Sequence, residues 1–450
     1  GNVSATSSDS ALIDTFAPNL SAQSFNYNEN QSAGATVATV VATDNLAVTG
    51  FNFTATGTAL SADGYYSIDN SGVITLTAAG AASAVNDFEA GTNTGIYSVT
   101  ARDAAGNTSA ANVTLNEMNL NDNAPVLTTG STLAYTENAT SAINTLITVA
   151  DADNTTLSTA TVSITGGFVS GQDVLAFTNV PATMGNITGS YVAGTGVMTL
   201  SSAGNTATLA QWQAALRAVT YNNSSDDPNT GARTVSYTVN DSAANSNTVT
   251  STVNLTSVND APTLTATAAS PTFTEGAGST QAAAVSVFSG ATTGTVESGQ
   301  TITGLTFTVG GLLDGASERI VVDGTTITLG ANSSGTTATN GMSYTVTIAS
   351  GTATVVLSKV AWVSTGNIST LVNGITYQNT SIDNPTDGNR VFTLTQIVDS
   401  GGTASGGVNT TALSIASTVN VNPVNDAPVL ASGSTLAYTE NATSAINTLI

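Results

Sequence analysis

The sequence contains no cysteine and no histidine among its 450 residues. That absence excludes thiol nucleophiles, histidine-dependent catalytic triads and the usual Cys or His zinc sites. It also excludes disulfides as supports for the fold, so metal or simple repetition must do that work if the chain lives in an oxidising compartment. Aromatic residues make up 5% and charged residues 8% of the chain, so its cores are built from small β-branched side chains, which suits thin sandwiches better than thick enzyme domains. Basic residues are scarce: six Lys+Arg stand against 29 Asp+Glu, for a net charge of −23. Such a surface repels phosphate backbones and anionic headgroups, so nucleic acid and membrane are poor partners and divalent cations are good ones. No apolar run approaches the ~20 residues needed to span a bilayer. The chain starts at Gly1 without Met or a charged, apolar leader, so any signal peptide is expected to be removed or to lie outside this segment.

What is abundant is Thr, Ser, Ala, Asn, Gly and Val. Ser, Thr, Gly and Asn favour disorder, but 40% of residues are hydrophobic and they alternate. Val235, Tyr237 and Val239 are separated by Ser236 and Thr238, and Tyr344, Val346 and Ile348 by Thr345 and Thr347. Period-two patterning marks half-buried strands, so folded β structure is expected throughout except in the first dozen or so residues.

Internal repetition organises the chain. Gly130–Ile147 recurs letter for letter as Gly433–Ile450, an offset of 303 residues. Asn-Asp-(Asn)-Ala-Pro motifs at Asn121–Pro125, Asn259–Pro262 and Asn425–Pro428 divide that period. At about 100–200 residues per domain, the length allows three or four modules. The expected division is an extended segment 1–16, modules 17–120, 121–258 and 259–424, and the start of a fourth module at 425–450, whose end at Ile450 in mid-strand implies a much longer polypeptide. Modules two and three are divergent copies: Tyr221–Pro228 matches Tyr377–Pro385, followed in each by an Arg (Arg233, Arg390) and an Asp (Asp241, Asp399). A short helix is expected before each motif, capped in the first copy by Thr208 and placing Trp212, Leu216 and Val219 on one face. Trp212 reads as a core plug rather than a ligand-stacking residue. Module one reads as strands only, with turns at Asp63-Gly64 and Asn70–Gly72.

Carboxylates and amides gather at the module boundaries, where like charges repel unless a cation sits between them. Ca²⁺ takes six to eight oxygen ligands in irregular geometry and suits such loops. The first boundary resembles the cadherin family. Glu29 matches the early-strand Glu, Asp87-Phe-Glu89 the Asp-x-Glu motif, and Asn119-Leu-Asn121-Asp122-Asn123-Ala-Pro125 the linker. Asp151-Ala-Asp153 matches the Asp-x-Asp motif and Asp241 the late Asp. Asn119 stands where the family has Asp, which keeps an oxygen but loses a charge. The resemblance implies that these residues converge around several Ca²⁺ ions.

The later boundaries match less fully. The second offers Glu137 and Asn259-Asp260, with Asp226 and Asp227 standing in for Asp-x-Glu. Module three offers Glu275 and Asp399, with Glu297 and Asp383 as substitutes for missing acids, and Asn425-Asp426 in the following linker. Asp14, Asp44 and Asp103 form a reduced site at the other end of module one, with solvated surface carboxylates an equally good reading. Modules two and three resemble the cadherin-like repeats of giant bacterial surface proteins of the adhesin or filament type. The resemblance implies an all-β array of tandem cadherin/immunoglobulin-like β-sandwich modules at the cell surface, outside the cell. It further implies a non-enzymatic, Ca²⁺-rigidified stalk or filament segment whose partners are neighbouring modules and, in a fibre, identical chains. Each sandwich adds a rod segment of roughly 40 Å, from strands rising ~3.3 Å per residue plus loops, about 150 Å in all. The alternatives are a ligand-binding adhesin module for a glycan or protein, with Tyr65-Tyr66 the best exposed aromatic pair, and more remotely a glycosidase-related region using Asp87 and Glu89 as paired carboxylates.

Overall fold

The structure, a computed structural model, describes residues 14–427 together with 437, 439–441 and 443. The extended segment expected over 1–16 and the fourth module expected over 425–450 fall mostly outside the described residues. The described chain forms two compact units. One takes the chain up to Leu133, then Thr140–Asn222 and Ala232–Val253. The other takes Ala134–Ala139, Asn223–Gly231 and the chain from Asn254 onward.

The β-sandwich class follows from strands whose alternate residues are buried. In the first sandwich, a four-stranded sheet runs in the order Gln23–Asn28, Thr108–Met118, Thr94–Asp103, Val48–Phe53. It faces a three-stranded sheet of Thr36–Thr39, Val73–Leu76 and Tyr66–Ile68. Phe53, Tyr66, Ile74, Leu76, Val99, Val113 and Leu115 fill the space between the sheets, each at most 2% exposed. Within this sandwich, Gln23–Asn28 pairs in parallel with its partner, Thr108–Met118. This pairing carries Glu29 to the same end of the sandwich as the start of the linker. Two turns read from sequence are present, with Gly64 and Gly72 at φ 80° and 83°. At Gly72 a Cβ would stand 2.3 Å from the Val40 carbonyl oxygen, so only glycine fits.

The first sandwich is not strands alone. Helix α1 (Ala78–Ala81), capped by the Thr77 side chain, and a 3₁₀ turn at Ala84–Asn86 connect its sheets. A single helical turn is too short to leave a periodic signature.

The second sandwich has a six-stranded sheet ordered Ile187–Val192, Val197–Ser202, Thr159–Gly166, Arg233–Asn240, Val249–Thr256, Thr132–Thr136. A three-stranded sheet of Ser141–Ala142, Thr220–Asn223 and Asp173–Ala176 accompanies it. Helices α2 (Pro181–Met184) and α3 (Leu209–Arg217) lie between strands. In α3 a capping box pairs Thr208 with Gln211 in both directions, satisfying two backbone donors. Trp212 is fully buried and its indole N–H donates to the Leu157 carbonyl at 3.1 Å.

The third sandwich has a seven-stranded sheet with Thr272–Thr274 at one edge and Ser333–Thr336 at the other, and a four-stranded sheet holding Thr376–Asn379 and Glu318–Val322. Helix α4 (Thr365–Asn373), capped by Ser364, occupies the place of α3.

The paired Arg residues are explained by this repetition. Arg233 Nε bonds Asp173 Oδ2 at 3.0 Å, and Tyr221 donates to Asp173 Oδ1. Arg390 Nε bonds Glu318 Oε1 at 3.0 Å, and its Nη2 bonds Asp314 at 3.1 Å, beside Tyr377. Both guanidinium groups are sealed from solvent.

Candidate metal centre

One arrangement recurs at the end of each sandwich. Glu29 donates its backbone N–H to the Met118 carbonyl, Glu137 to Thr256 and Glu275 to Asn422. Each side chain then accepts the amide N–H two residues further along the partner strand: Leu120 at 2.6 Å, Val258 at 2.5 Å and Val424 at 2.9 Å. The glutamate thus pins the first residues of the linker to its own sandwich. Glu29 also accepts the Phe88 amide at 2.8 Å, and Glu275 the Asn384 amide at 2.7 Å. Asp383, just before Asn384, therefore sits where Asp87 sits before Phe88.

At the first junction Glu29, Glu89 and Asp122 bring carboxylate oxygens within 4.8 Å of one another. With Asn30, Asp87 and Asn123 they line a cleft of about 290 Å³. Asp122 and Asn123 donate their amides to Asp153 Oδ2 at 2.8 and 2.5 Å, and Asn119 Nδ2 donates to the Asp153 carbonyl at 2.8 Å. Asn123 Nδ2 reaches Asp153 Oδ1 at 2.9 Å and Glu89 Oε2 at 3.3 Å. Asn30, which no motif singles out, donates to Asp122. Asn121 is exposed beside them. Asp151 Oδ1 accepts the amides of Asp153 and Asn154, and Asp241 Oδ1 those of Ala243 and Ala244. The second oxygen of each, Asp151 Oδ2 and Asp241 Oδ2, is buried without a partner.

The electrostatics record the crowding. The Glu89 carboxyl is pushed up to about 7 by loss of surrounding water, by its hydrogen bond with Asp153 and by the charges of Glu29 and Asp153. Asp122 is raised by desolvation and by the charges of Glu29 and Asp153, and Asp151 by desolvation, with Asp241 and Asp153 adding to it. Asp153 runs the other way, because donors from Asn123 and Asp122 outweigh its desolvation. Sequence reasoning also missed Glu117, which is 4% exposed and pushed up to about 7 by burial and then by Glu29, Asp87 and Glu89.

The second junction gathers Glu137, Asp260 and Glu297, whose oxygens again lie within 4.8 Å. The Asp260 amide donates to Glu297 Oε1 at 2.7 Å. Glu137 Oε2, Asp260 Oδ2 and Glu297 Oε2 are all buried without partners. Burial raises the Glu137 and Asp260 carboxyls, Glu297 and Asp226 add to both, and Asp260 adds to Glu137. Asp227 accepts the Ser298 amide at 3.0 Å. Asn259 donates to Asp399 Oδ1 at 3.2 Å, leaving Asp399 Oδ2 buried and unpartnered.

Asp14, Asp44 and Asp103 also converge within 4.8 Å. Asp103 is satisfied by Asn107, whereas Asp14 Oδ2 and Asp44 Oδ2 are buried without partners. In the third linker Asp426 accepts the Gly278 amide at 2.6 Å and Asn425 stands beside it; Pro428 lies outside the described residues. The Tyr65-Tyr66 pair is not an exposed platform. Tyr66 is 2% exposed and packs edge-on against Tyr27 and Tyr97, because alternation turns it into the core while Tyr65 lies half-buried.

Fold and site together define a chain of tandem β-sandwiches with carboxylate clusters at their ends. Solved structures with a similar fold are cadherin ectodomains. The human desmocollin-1 ectodomain is 14% identical with a TM-score of 0.37, over 91% of this chain and 62% of that one. Mouse cadherin-23 EC22-24 is 14% identical with a TM-score of 0.33, over 91% and 99%. Drosophila N-cadherin EC1-4 is 10% identical with a TM-score of 0.29, over 89% and 75%. The chain thus spans 62% of the length of the desmocollin-1 ectodomain it matches. No protein-family model and no curated protein sequence matches the chain.

Proposed function

We propose that the chain is a non-enzymatic segment of an extracellular stalk or filament of a giant bacterial surface protein, stiffened by Ca²⁺ held where consecutive sandwiches meet. The observation that carries this reading is the set of buried carboxylate oxygens with no hydrogen-bond partner, gathered at the junctions: Glu137 Oε2, Asp260 Oδ2 and Glu297 Oε2 at the second, and Asp151 Oδ2 with Asp241 Oδ2 at the first. Like charges placed in this way are unfavourable alone. A hard cation that accepts carboxylates, amides and carbonyls in irregular geometry turns them from a cost into a ligand set. Glu29, Asp87, Glu89 and Asp122 would hold ions from the first sandwich and its linker, and Asp151, Asp153 and Asp241 from the second. Because Glu29 and Asp153 also grip the linker amides, a bound ion would fix both ends of the hinge. The same carboxylates serve here as ligands, so the paired-carboxylate glycosidase alternative is not needed. Neighbouring modules of the same long chain are the expected partners, and identical chains the expected partners in a fibre.

The test is thermal unfolding with Ca²⁺ and with a chelator. Ligand at 100 times its Kd adds about 2.7 kcal/mol per site, so the melting temperature is expected to rise by several degrees in Ca²⁺. Identical melting curves in the two conditions would remove the ion from the account.

A further inference from the structure

Glu117 occupies a position that is apolar elsewhere in the chain. It lies opposite Tyr27 in the parallel pairing of the first sandwich, as Val421 lies opposite Phe273 in the third. In the second, the residue before the carbonyl that receives the early glutamate is Leu255. Leu255 and Val421 are buried core residues, 6% and 0% exposed. Glu117 is equally buried at 4%, following Val113 and Leu115 on the inward face of its strand. Both of its carboxylate oxygens are cut off from solvent and lack a hydrogen-bond partner. This sets it apart from Glu29, whose two oxygens each accept a backbone N–H. The charges that act on Glu117 are those of Glu29, Asp87 and Glu89, the first sandwich's contribution to the junction. No basic group is among them. Sequence places this carboxylate two residues before Asn119, the one linker position where an amide stands in place of an acid.

We propose that Glu117 is a further cation-facing carboxylate of the first junction, approaching it from inside the sandwich and supplying the negative charge absent at Asn119. The inference rests on the calcium reading of that junction. A buried, unbonded carboxylate under the charge of three others is costly at an otherwise apolar position unless a cation compensates it. Calcium affinity is tuned by the number of charged ligands, so the first junction would match the charge of a fully acidic linker.

The experiment is a Ca²⁺ titration of the whole chain followed by hydrogen–deuterium exchange, reading the 117–125 and 256–262 segments separately. Calcium is expected to protect both linkers in the wild-type chain. In Glu117→Gln the midpoint at 117–125 shifts upward by about tenfold or more, the effect of losing one ligand charge, while 256–262 is unmoved. Glu117→Leu, which copies the apolar residue of the second sandwich, raises the melting temperature in chelator and narrows the further rise that Ca²⁺ gives. Wild-type protection with an unshifted Glu117→Gln midpoint overturns this inference alone. Equal stabilisation of Glu117→Leu with and without Ca²⁺ does the same. A wild-type chain whose 117–125 segment shows no calcium-dependent protection overturns the calcium reading as well.

Discussion

Individual carboxylates set the behaviour of this chain, and their titration gives a signed prediction. Glu89 and Glu117 are each raised from 4.5 to about 7. The folded state therefore binds more protons than the unfolded state between those values, so the stability these two groups contribute is greatest below about 4.5 and falls as pH rises through about 7. In chelator, the melting temperature is expected to drop between pH 5 and pH 8; in saturating Ca²⁺, which favours the ionised ligands, that drop is expected to disappear or reverse. A flat profile in chelator would contradict the crowding. A second residue-scale prediction concerns the sealed arginines. Arg390→Met leaves Glu318 without its 3.0 Å partner in the core and should cost about 3–5 kcal/mol in denaturant unfolding of the third sandwich. Sequence alone marks Arg390 and Arg233 by their repeated position, but not their partners. Asp173 and Glu318 lie 60 and 72 residues away, a separation that no local pattern reveals. Glu117 was legible in principle, since a lone acid at the inward step of Val113-x-Leu115-x-Glu117 breaks the alternation.

At the scale of elements, alternation carries most of the fold because each sandwich strand has one face in the core. Arg233–Asn240 shows buried and half-buried residues in strict succession, as its sequence implies. Helix α3 was legible for a different reason, its Thr208 cap and the Trp212 and Leu216 spacing, and both of those apolar residues are fully buried as one face requires. Its cap makes a further prediction: Thr208→Ala removes the hydroxyl that accepts the Gln211 amide at 3.3 Å and should cost about 1 kcal/mol in equilibrium denaturation. Losses below ~0.3 kcal/mol would show that packing of Trp212 alone holds the helix. The pattern fails where elements are a single turn long, as in α1, and where two aromatic residues adjoin, as at Tyr65-Tyr66. There the face each residue takes depends on a strand register that the sequence does not declare.

For the whole molecule, repetition places acids at each junction but does not make the junctions alike. The first draws on motifs running from Glu29 to Asp241, whereas the second replaces Asp-x-Asp with Glu297 and leaves Asp226 exposed at its margin. That substitution was only partly legible, because Glu297 reaches Asp260 by tertiary folding rather than by a fixed spacing. With 29 acidic residues against six basic ones, the chain has few cations of its own to tie its junctions, so bound metal ions that fix the hinges are expected to act on its extension as well as on its melting. Small-angle scattering of the full chain in Ca²⁺ and in chelator measures this directly. Junctions fixed by bound Ca²⁺ should give a greater maximum dimension in Ca²⁺ than in chelator; superimposable scattering curves in the two buffers would contradict the role given to the ion.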